Sequence, residues 1–572
     1  MVLLYKLKYN SNNNTLKNFL FKISKNSELE FSITTKSDYV KLYVEGSQEE
    51  LMTFSDELSS NLPMSIFLLT ENVEAVESMP ENEFKEINKD DAVLPFCPTC
   101  LKAVDDEKSK DYYNPFMHCE LCGQEVEDKT LLLTIEDEKS ESTNYKELFE
   151  KTATLLKDGK KIKIKTFSGE FVFGALHEDL CENIQNNLKL FITDINTIGK
   201  FVIAQKSEVI ALASIEKPSI DFKQNVIFKS KNLIQKDDVN VRICNDFLLY
   251  LLSRELIKLG IESLYYVDAN KTSFDASLTF NTSEDLQKVS IPKVVALQSG
   301  KLLPVENYNF DKNLSVMYSK FEDSDKSHFM TILQENSLFE TKTLNLYCSK
   351  LNDDKFSFYS EDIGGFNDLI SFKVTCSMKE VFNEIKKDET GGKLINSYKT
   401  KFPELYDSIK DLKFVDLKDN IFSLWTIASL VLGFDKNIQT SGNKLIQNAI
   451  SFTPEKGPRI DYYKQDKEKV LDNKFAFVRL IKSGMSFKLA GVDDNTISFG
   501  YIESFSHFVA REVENANEEL RFEAVSLSGS LFGTSLVTSL VEKELEKNFK
   551  LYYNKDFPIE AFVPSSRAGL SC

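Results

Sequence analysis

Two Cys-x-x-Cys pairs, Cys97-Pro98-Thr99-Cys100 and Cys119-Glu120-Leu121-Cys122, stand eighteen residues apart in this chain. Two intervening residues let both sulfurs of a pair, and nearby backbone N–H groups, turn toward one ion. Two such pairs give the four thiolates of a closed tetrahedral zinc site. The chain has nine cysteines in 572 residues, and four of them fall within these twenty-six positions. Cys97, Cys100, Cys119 and Cys122 are therefore read as ligands of one structural zinc per chain. A fold containing this segment must bring the two pairs together.

The residues before the second pair extend the pattern. Tyr113-Asn114-Pro115-Phe116-Met117-His118-Cys119, completed by Cys122-Gly123, reads Tyr-x-Pro-Phe-x-x-Cys-x-x-Cys-Gly. This resembles the zinc segment of the carbamoyltransferase family of nickel–iron hydrogenase maturation, the HypF family. That family carries the two-pair segment twice in tandem; this chain carries it once.

A net charge of −18 offers no basic excess for a phosphate backbone, so a general nucleic-acid partner is not expected. Met1-Val2-Leu3-Leu4-Tyr5-Lys6 meets a charge at once and lacks a signal-peptide core. The longest apolar run, near residues 421–434, is interrupted by Ser423, Thr426, Ser429 and Gly433 and is too short to span a bilayer. A cytoplasmic protein with reduced thiols is expected, where clustered cysteines bind metal.

Residues 1–80 alternate strand-like and helix-like runs and predict a βαββαβ, ferredoxin-like unit. Val40-Lys41-Leu42-Tyr43-Val44-Glu45-Gly46 and the following helix resemble an acylphosphatase domain, the family's first. The acylphosphatase phosphate loop uses an arginine, and residues 1–80 contain none. Residues 71–91 are acidic and are read as a linker. The zinc module is placed at 92–130, with one strand, Leu131 to Ile135, and a polar connector after it. From 145 to 285 a second α/β domain is expected. Tyr145 to Leu156 is a helix stopped at Lys157-Asp158-Gly159. The strand Ile162-Lys163-Ile164-Lys165-Thr166 then runs into a turn at Gly169. This start is similar to the family's YrdC-like domain, and the resemblance makes Lys165 a candidate ATP-handling lysine. The basic run that follows in the family is missing.

Residues 288–572 are read as a two-lobed α/β region of the threonylcarbamoyltransferase-like, actin-like ATPase type. Ser360-Glu361-Asp362-Ile363-Gly364-Gly365-Phe366 is similar to a family element with histidine where Asp362 stands. Ala524-Val525-Ser526-Leu527-Ser528-Gly529-Ser530-Leu531-Phe532 resembles a strand, Gly turn and helix suited to a nucleotide. It makes Ser528 and Gly529 candidate nucleotide-binding residues, and Gly364, like these two, keeps the family's scaffold. Where the family has an Asn-Asp-Gly-Gly turn, this chain has Ile559-Glu560-Ala561-Phe562. The four histidines, His118, His177, His328 and His507, are too far apart in sequence to suggest the family's histidine-held metal. His118 is expected to be exposed, and His507 to be packed between domains. The terminal Cys572 is a candidate exposed thiol.

The resemblance implies a multidomain α/β and α+β scaffold of four parts. They are an acylphosphatase-like ferredoxin fold, a zinc module, a YrdC-like domain and the actin-like region. The family's activity converts carbamoyl phosphate and ATP, through carbamoyl-adenylate, into a carbamoyl group on a partner cysteine. Three readings stay open: a weakly or non-catalytic maturation factor, an active carbamoyltransferase, and a relative of tRNA threonylcarbamoylation enzymes. The implied partners are a hydrogenase subunit or maturation proteins, with zinc and ATP as the implied cofactors.

Overall fold

Val2 to Tyr9 buries Tyr5, Leu7 and Tyr9 on one face, with the half-buried Lys6 and Lys8 between them, as alternation along a strand allows. In the computed structural model it is β1, the second-last strand of a four-stranded antiparallel sheet. The structure describes all residues except 37, 89–92, 137, 143, 237, 282–287, 290, 308–309, 361, 363–364, 453–455 and 562–572. The chain divides into two compact units, 1–294 with 307–311, and 295–306 with 312–572.

In the first unit, β1 is followed by α1 (Thr15–Asn26), β2 (Glu30–Lys36), β3 (Tyr39–Glu45), α2 (Gln48–Asn61) and β4 (Leu68–Val76). The strand order β2-β3-β1-β4 is the ferredoxin-like arrangement read from the sequence. Ser47 caps α2, and Glu50 returns the bond to the Ser47 N–H, closing a capping box. The acidic stretch is a linker only in part, because its first six residues belong to β4.

A second, mixed sheet follows. Its elements are α3 (Pro98–Asp105), β5 (Leu131–Ile135), β6 (Glu138–Ser142), α4 (Tyr145–Lys157), β7 (Ile162–Thr166), β8 (Gly169–Gly174), α5 (Glu182–Asn187), β9 (Lys189–Ile192) and α6 (Lys206–Ala213). They continue as β10 (Ser219–Lys223), α7 (Val226–Lys229), β11 (Asp238–Arg242), α8 (Phe247–Lys258), β12 (Ser263–Asp268), β13 (Ala276–Phe280) and β14 (Lys293–Ala296). Within this unit the order is β14-β10-β11-β9-β12-β8-β7-β13-β5-β6. The stretch expected to be a polar connector after β5 is instead β6, an edge strand paired to β5. Its side chains are exposed or half-exposed throughout, which is why no alternation marks it. Helices α4 and α8 lie on one face, burying Phe149, Leu156, Leu248 and Leu252 with Ile162, Ile164 and Leu278. Cys97, Cys100 and Phe116 belong to that same core.

The second unit begins with β15 (Leu302–Glu306), α9 (Lys312–Tyr318), α10 (Ser324–Asn336), β16 (Thr343–Tyr347), β17 (Lys355–Ser360) and β18 (Gly365–Ser371). A helical part follows: α11 (Met378–Ile385), α12 (Glu389–Lys401), α13 (Pro403–Ile409), α14 (Ile421–Leu432) and α15 (Ile438–Ile450). Then come β19 (Asn473–Lys474), α16 (Phe477–Ala490), α17 (Asp494–Leu520), β20 (Ala524–Ser528), α18 (Ser535–Leu545) and β21 (Lys550–Tyr552). The sheet order is β19-β18-β17-β16-β20-β21. Strands β16, β17 and β18 run antiparallel, while β20 and β21 join in parallel, the layering of an actin-like half. The apolar run at 421–434 is α14, almost wholly buried, with Trp425 Nε1–H donating to the Tyr462 hydroxyl at 2.8 Å. No described helix is long and apolar enough to cross a membrane. The last strand, β21, is only three residues long.

Candidate functional site

The first candidate site is the cysteine cluster. Pro98 opens α3 with its φ already set for a helix, and Cys97 is the N-cap, its sulfur accepting from the Cys100 N–H at 3.5 Å. The Cys97 N–H donates to Cys122 Sγ at 3.2 Å, and the Leu121 N–H to Cys119 Sγ at 3.4 Å. Gly123, at φ +63°, turns the chain out of the second pair and gives its N–H to the Leu94 carbonyl. The four sulfurs all lie within 4.8 Å of one another. Cys97 to Cys119 is 3.9 Å, Cys119 to Cys122 is 3.6 Å and Cys100 to Cys122 is 3.7 Å. A zinc tetrahedron with ~2.3 Å Zn–S bonds has sulfur edges of about 3.8 Å. The residues present fit that ion. Four thiols this close cannot all ionise without a cation between them.

The Tyr-x-Pro-Phe element fixes the cluster to the second sheet. Tyr113, buried and at φ +59°, donates its hydroxyl to Glu255 on α8. Phe116 is buried against Tyr145 and Phe280. From α3, Asp105 accepts from Tyr250 at 2.8 Å and from Arg254 at 2.7 Å. His118 is half-buried rather than exposed, its Nδ1 3.4 Å from the Phe116 carbonyl, because the turn at Gly123 packs against it.

Lys165 sits one residue from the end of β7, opposite Glu170 in the β7–β8 hairpin. Its ammonium lies 5.2 Å from the centre of the Phe280 ring. The adjoining Phe167 stacks obliquely on Phe280 and gives its N–H to Asp246 at 2.9 Å. Asp246 also caps α8 through the Leu249 N–H. Burial pushes the Asp246 carboxyl up, while those N–H groups and the charge of Arg242 work against the rise. Beside it the Asn245 carboxamide is fully buried with neither end hydrogen-bonded. Asn245, Asp246, Phe96, Phe167 and Gly123 are among the walls of a cavity of about 20 Å³, room for roughly one water.

Arg242 is a residue the sequence reading missed. It ends β11, is 2% exposed, and lies between the rings of Phe171 and Tyr266 at 4.5 and 4.2 Å. Its Nε and Nη2 have no hydrogen-bond partner. The available signal was scarcity, since it is the first arginine in the chain.

The third place is the turn after β20. Ser528 is buried, and its hydroxyl lies 3.2 Å from Asn345 Oδ1 on the neighbouring β16. Gly529 has φ +97°, and a Cβ there would strike the Cys348 carbonyl. Glycine is needed for the approach of two strand ends, and both candidates serve that approach.

Ser530 then gives its N–H to Glu560 Oε2 at 2.7 Å. The Glu560 carboxylate also accepts from the hydroxyls of Tyr347 at 2.6 Å and Ser349 at 2.7 Å, and from the Asn352 amide at 2.7 Å. Burial pushes the Glu560 carboxyl up; the bonds from Ser530, Tyr347 and Ser349 outweigh it and leave it below its ordinary range. His328 on α10 is wholly buried and accepts from the Ala561 N–H at Nε2, 3.1 Å. Burial lowers its pKa to about 4, so the ring is neutral at pH 7 with its proton on the unpartnered Nδ1.

The remaining candidates lie elsewhere. Asp362 is exposed and paired with Lys342 at 3.0 Å. His177 is exposed. His507, expected between domains, is exposed on α17 with Glu544 3.8 Å away. Gly364 and Cys572 lie outside the described residues.

No family model matches the chain. The protein HydE of Wolinella succinogenes is 25% identical over 563 residues, covering 95% of this chain and 97% of that protein. The T. kodakarensis HypF crystal structure superposes with a TM-score of 0.68 at 13% identity, over 98% of this chain and 97% of that one. The chain has the fold of HypF. A second, full-length HypF structure, in a phosphate- and nucleotide-bound form, gives a TM-score of 0.62 at 12% identity, over 98% and 96%. The HypF fold thus covers 98% of this chain, with YrdC-like and actin-like layers and a four-cysteine cluster.

Proposed function

We propose that this chain is a hydrogenase-maturation factor on a HypF-type scaffold in which carbamoyl transfer is reduced or lost. It works in assembly of the nickel–iron centre or of the subunit carrying it, with a hydrogenase subunit or a maturation protein as partner. Cys97, Cys100, Cys119 and Cys122 hold one zinc, which supplies structure and no chemistry.

The observation that carries this reading is Glu560. A Gly turn between a strand and a helix suits a phosphate because its N–H groups are free to point at an anion. Here the Ser530 N–H and the hydroxyls beside it are taken by the chain's own carboxylate. A phosphate would have to displace four hydrogen bonds and then meet a buried negative charge. The first sheet points the same way, since residues 1–80 lack the arginine of a carbamoyl-phosphate cradle. The observation on the other side is Arg242, a buried cation with unused donors, which favours an active enzyme if an anion reaches it.

The test is genetic. Deleting the gene in its own organism should impair hydrogenase activity, and a Lys165→Ala copy should restore it as well as the unaltered copy does. Failure of an equally abundant Lys165→Ala protein would move the reading to the active enzyme.

A further inference from the structure

The four-stranded sheet treats its two edges differently. At β2 the chain returns over its own edge: the Glu83 N–H donates to the Ile33 carbonyl at 3.1 Å. The Ile33 N–H donates to Asn82 Oδ1 at 2.9 Å, and the Thr35 N–H to Glu83 Oε2 at 3.1 Å. Phe84 anchors this return on Phe21. At the other edge, β4 pairs with β1 alone among the described residues. Leu69 to Ala75, seven residues in a row, are all exposed. A long bare edge is a template for another strand, and folded proteins usually cover or blunt one.

Two features make this edge selective. Leu69 and Val73 are apolar and each 52% exposed. A groove of about 660 Å³ runs beside them, with Tyr5, Leu58, Leu62 and Met64 among its other walls. Glu71 stands between these apolar positions, Glu74 follows Val73, Glu77 lies just beyond the strand, and β4 has no lysine or arginine.

We propose that the outer edge of β4 accepts an extended segment of a partner polypeptide as a fifth strand. That segment has apolar residues at alternate positions and lysine or arginine between them. Main-chain bonds to the edge supply affinity, and alternate side chains reach the groove beside Leu69 and Val73. The glutamates supply the charge preference. They disfavour a second copy of this chain, because two β4 edges would lay two acidic rows together with no cation between them. This goes beyond the maturation reading and does not depend on whether carbamoyl chemistry survives, since β4 includes neither Lys165 nor Glu560.

The test is amide hydrogen exchange on the full chain with two synthetic peptides of about ten residues, enough at ~3.3 Å per residue to match β4. One alternates lysine and valine, the other glutamate and valine. The lysine peptide should slow exchange over residues 69–76 about tenfold, and the glutamate peptide should not. A Leu69→Lys, Val73→Lys double variant alters only half-exposed side chains and should lose the protection while keeping its melting temperature. Four results would overturn the proposal: no protection from the lysine peptide, equal protection from both peptides, protection retained in the double variant, or protection that rises with protein concentration alone. The last would assign the edge to a second copy.

Discussion

Replacing Cys119 with alanine is expected to empty the metal site and unfold the segment around it. Cys119 is the most exposed of the four cysteines, so its removal opens little cavity and the effect reports the metal rather than packing. The remaining sulfurs would leave zinc with an open position in a site whose N–H groups are arranged for thiolates. Structural zinc contributes on the order of 10 kcal/mol to small modules. Because Cys97, Cys100 and Phe116 share a core with α4 and α8, loosening should reach the second sheet as well. Metal analysis should return one zinc per unaltered chain and far less for Cys119→Ala, and limited proteolysis should cut the variant within residues 94–126. The exposed Cys181 is the control, and Cys181→Ala should change neither readout. Unaltered protein with little zinc and full protease resistance would remove the metal from the account.

Gly529→Ala is expected to destabilise the second unit by about 3–5 kcal/mol. Two costs add. A side chain at φ +97° is strained wherever it has room, and here it has none, because the carbonyl and amide of Cys348 occupy the space. Relief would require β16 and β20 to part. Those ends are tied by the Cys348 N–H to the Ser528 carbonyl at 2.9 Å and the Leu531 N–H to the Cys348 carbonyl at 3.0 Å. Parting would also misplace the Ser530 N–H under Glu560. Denaturant unfolding followed at Trp425, the chain's one tryptophan and a member of the second unit's core, would measure the loss. A change below about 1 kcal/mol would mean that the turn is looser than described.

What could be read from the sequence was what is local. The cysteine pairs and the βαββαβ order are exposed by spacing and periodicity, and the Gly529 turn by a family resemblance carried within one short window. The Glu560 site is not local: Tyr347, Ser349 and Asn352 stand 208 to 213 positions from Glu560, and His328 stands 233 from Ala561. No pattern in a single window joins them. The reading did place Glu560 at an altered turn, but as a loss of glycine rather than as a carboxylate held by four donors. Arg242 was invisible for a different reason. One basic residue on a strand carries no motif, and only burial between two rings sets it apart. Strand β6 escaped because an edge strand with both faces wet has no hydrophobic period. His507 was expected between domains, but on α17 its neighbours Phe505 and Phe508 face inward while the imidazole faces out.

The central claim is that this HypF-type scaffold has exchanged phosphate handling for internal contacts. Incubating the purified, zinc-loaded chain with carbamoyl phosphate and ATP, and following pyrophosphate and AMP, tests it most directly. The account predicts no ATP cleavage above background that depends on carbamoyl phosphate. Robust turnover that disappears in Lys165→Ala would contradict it.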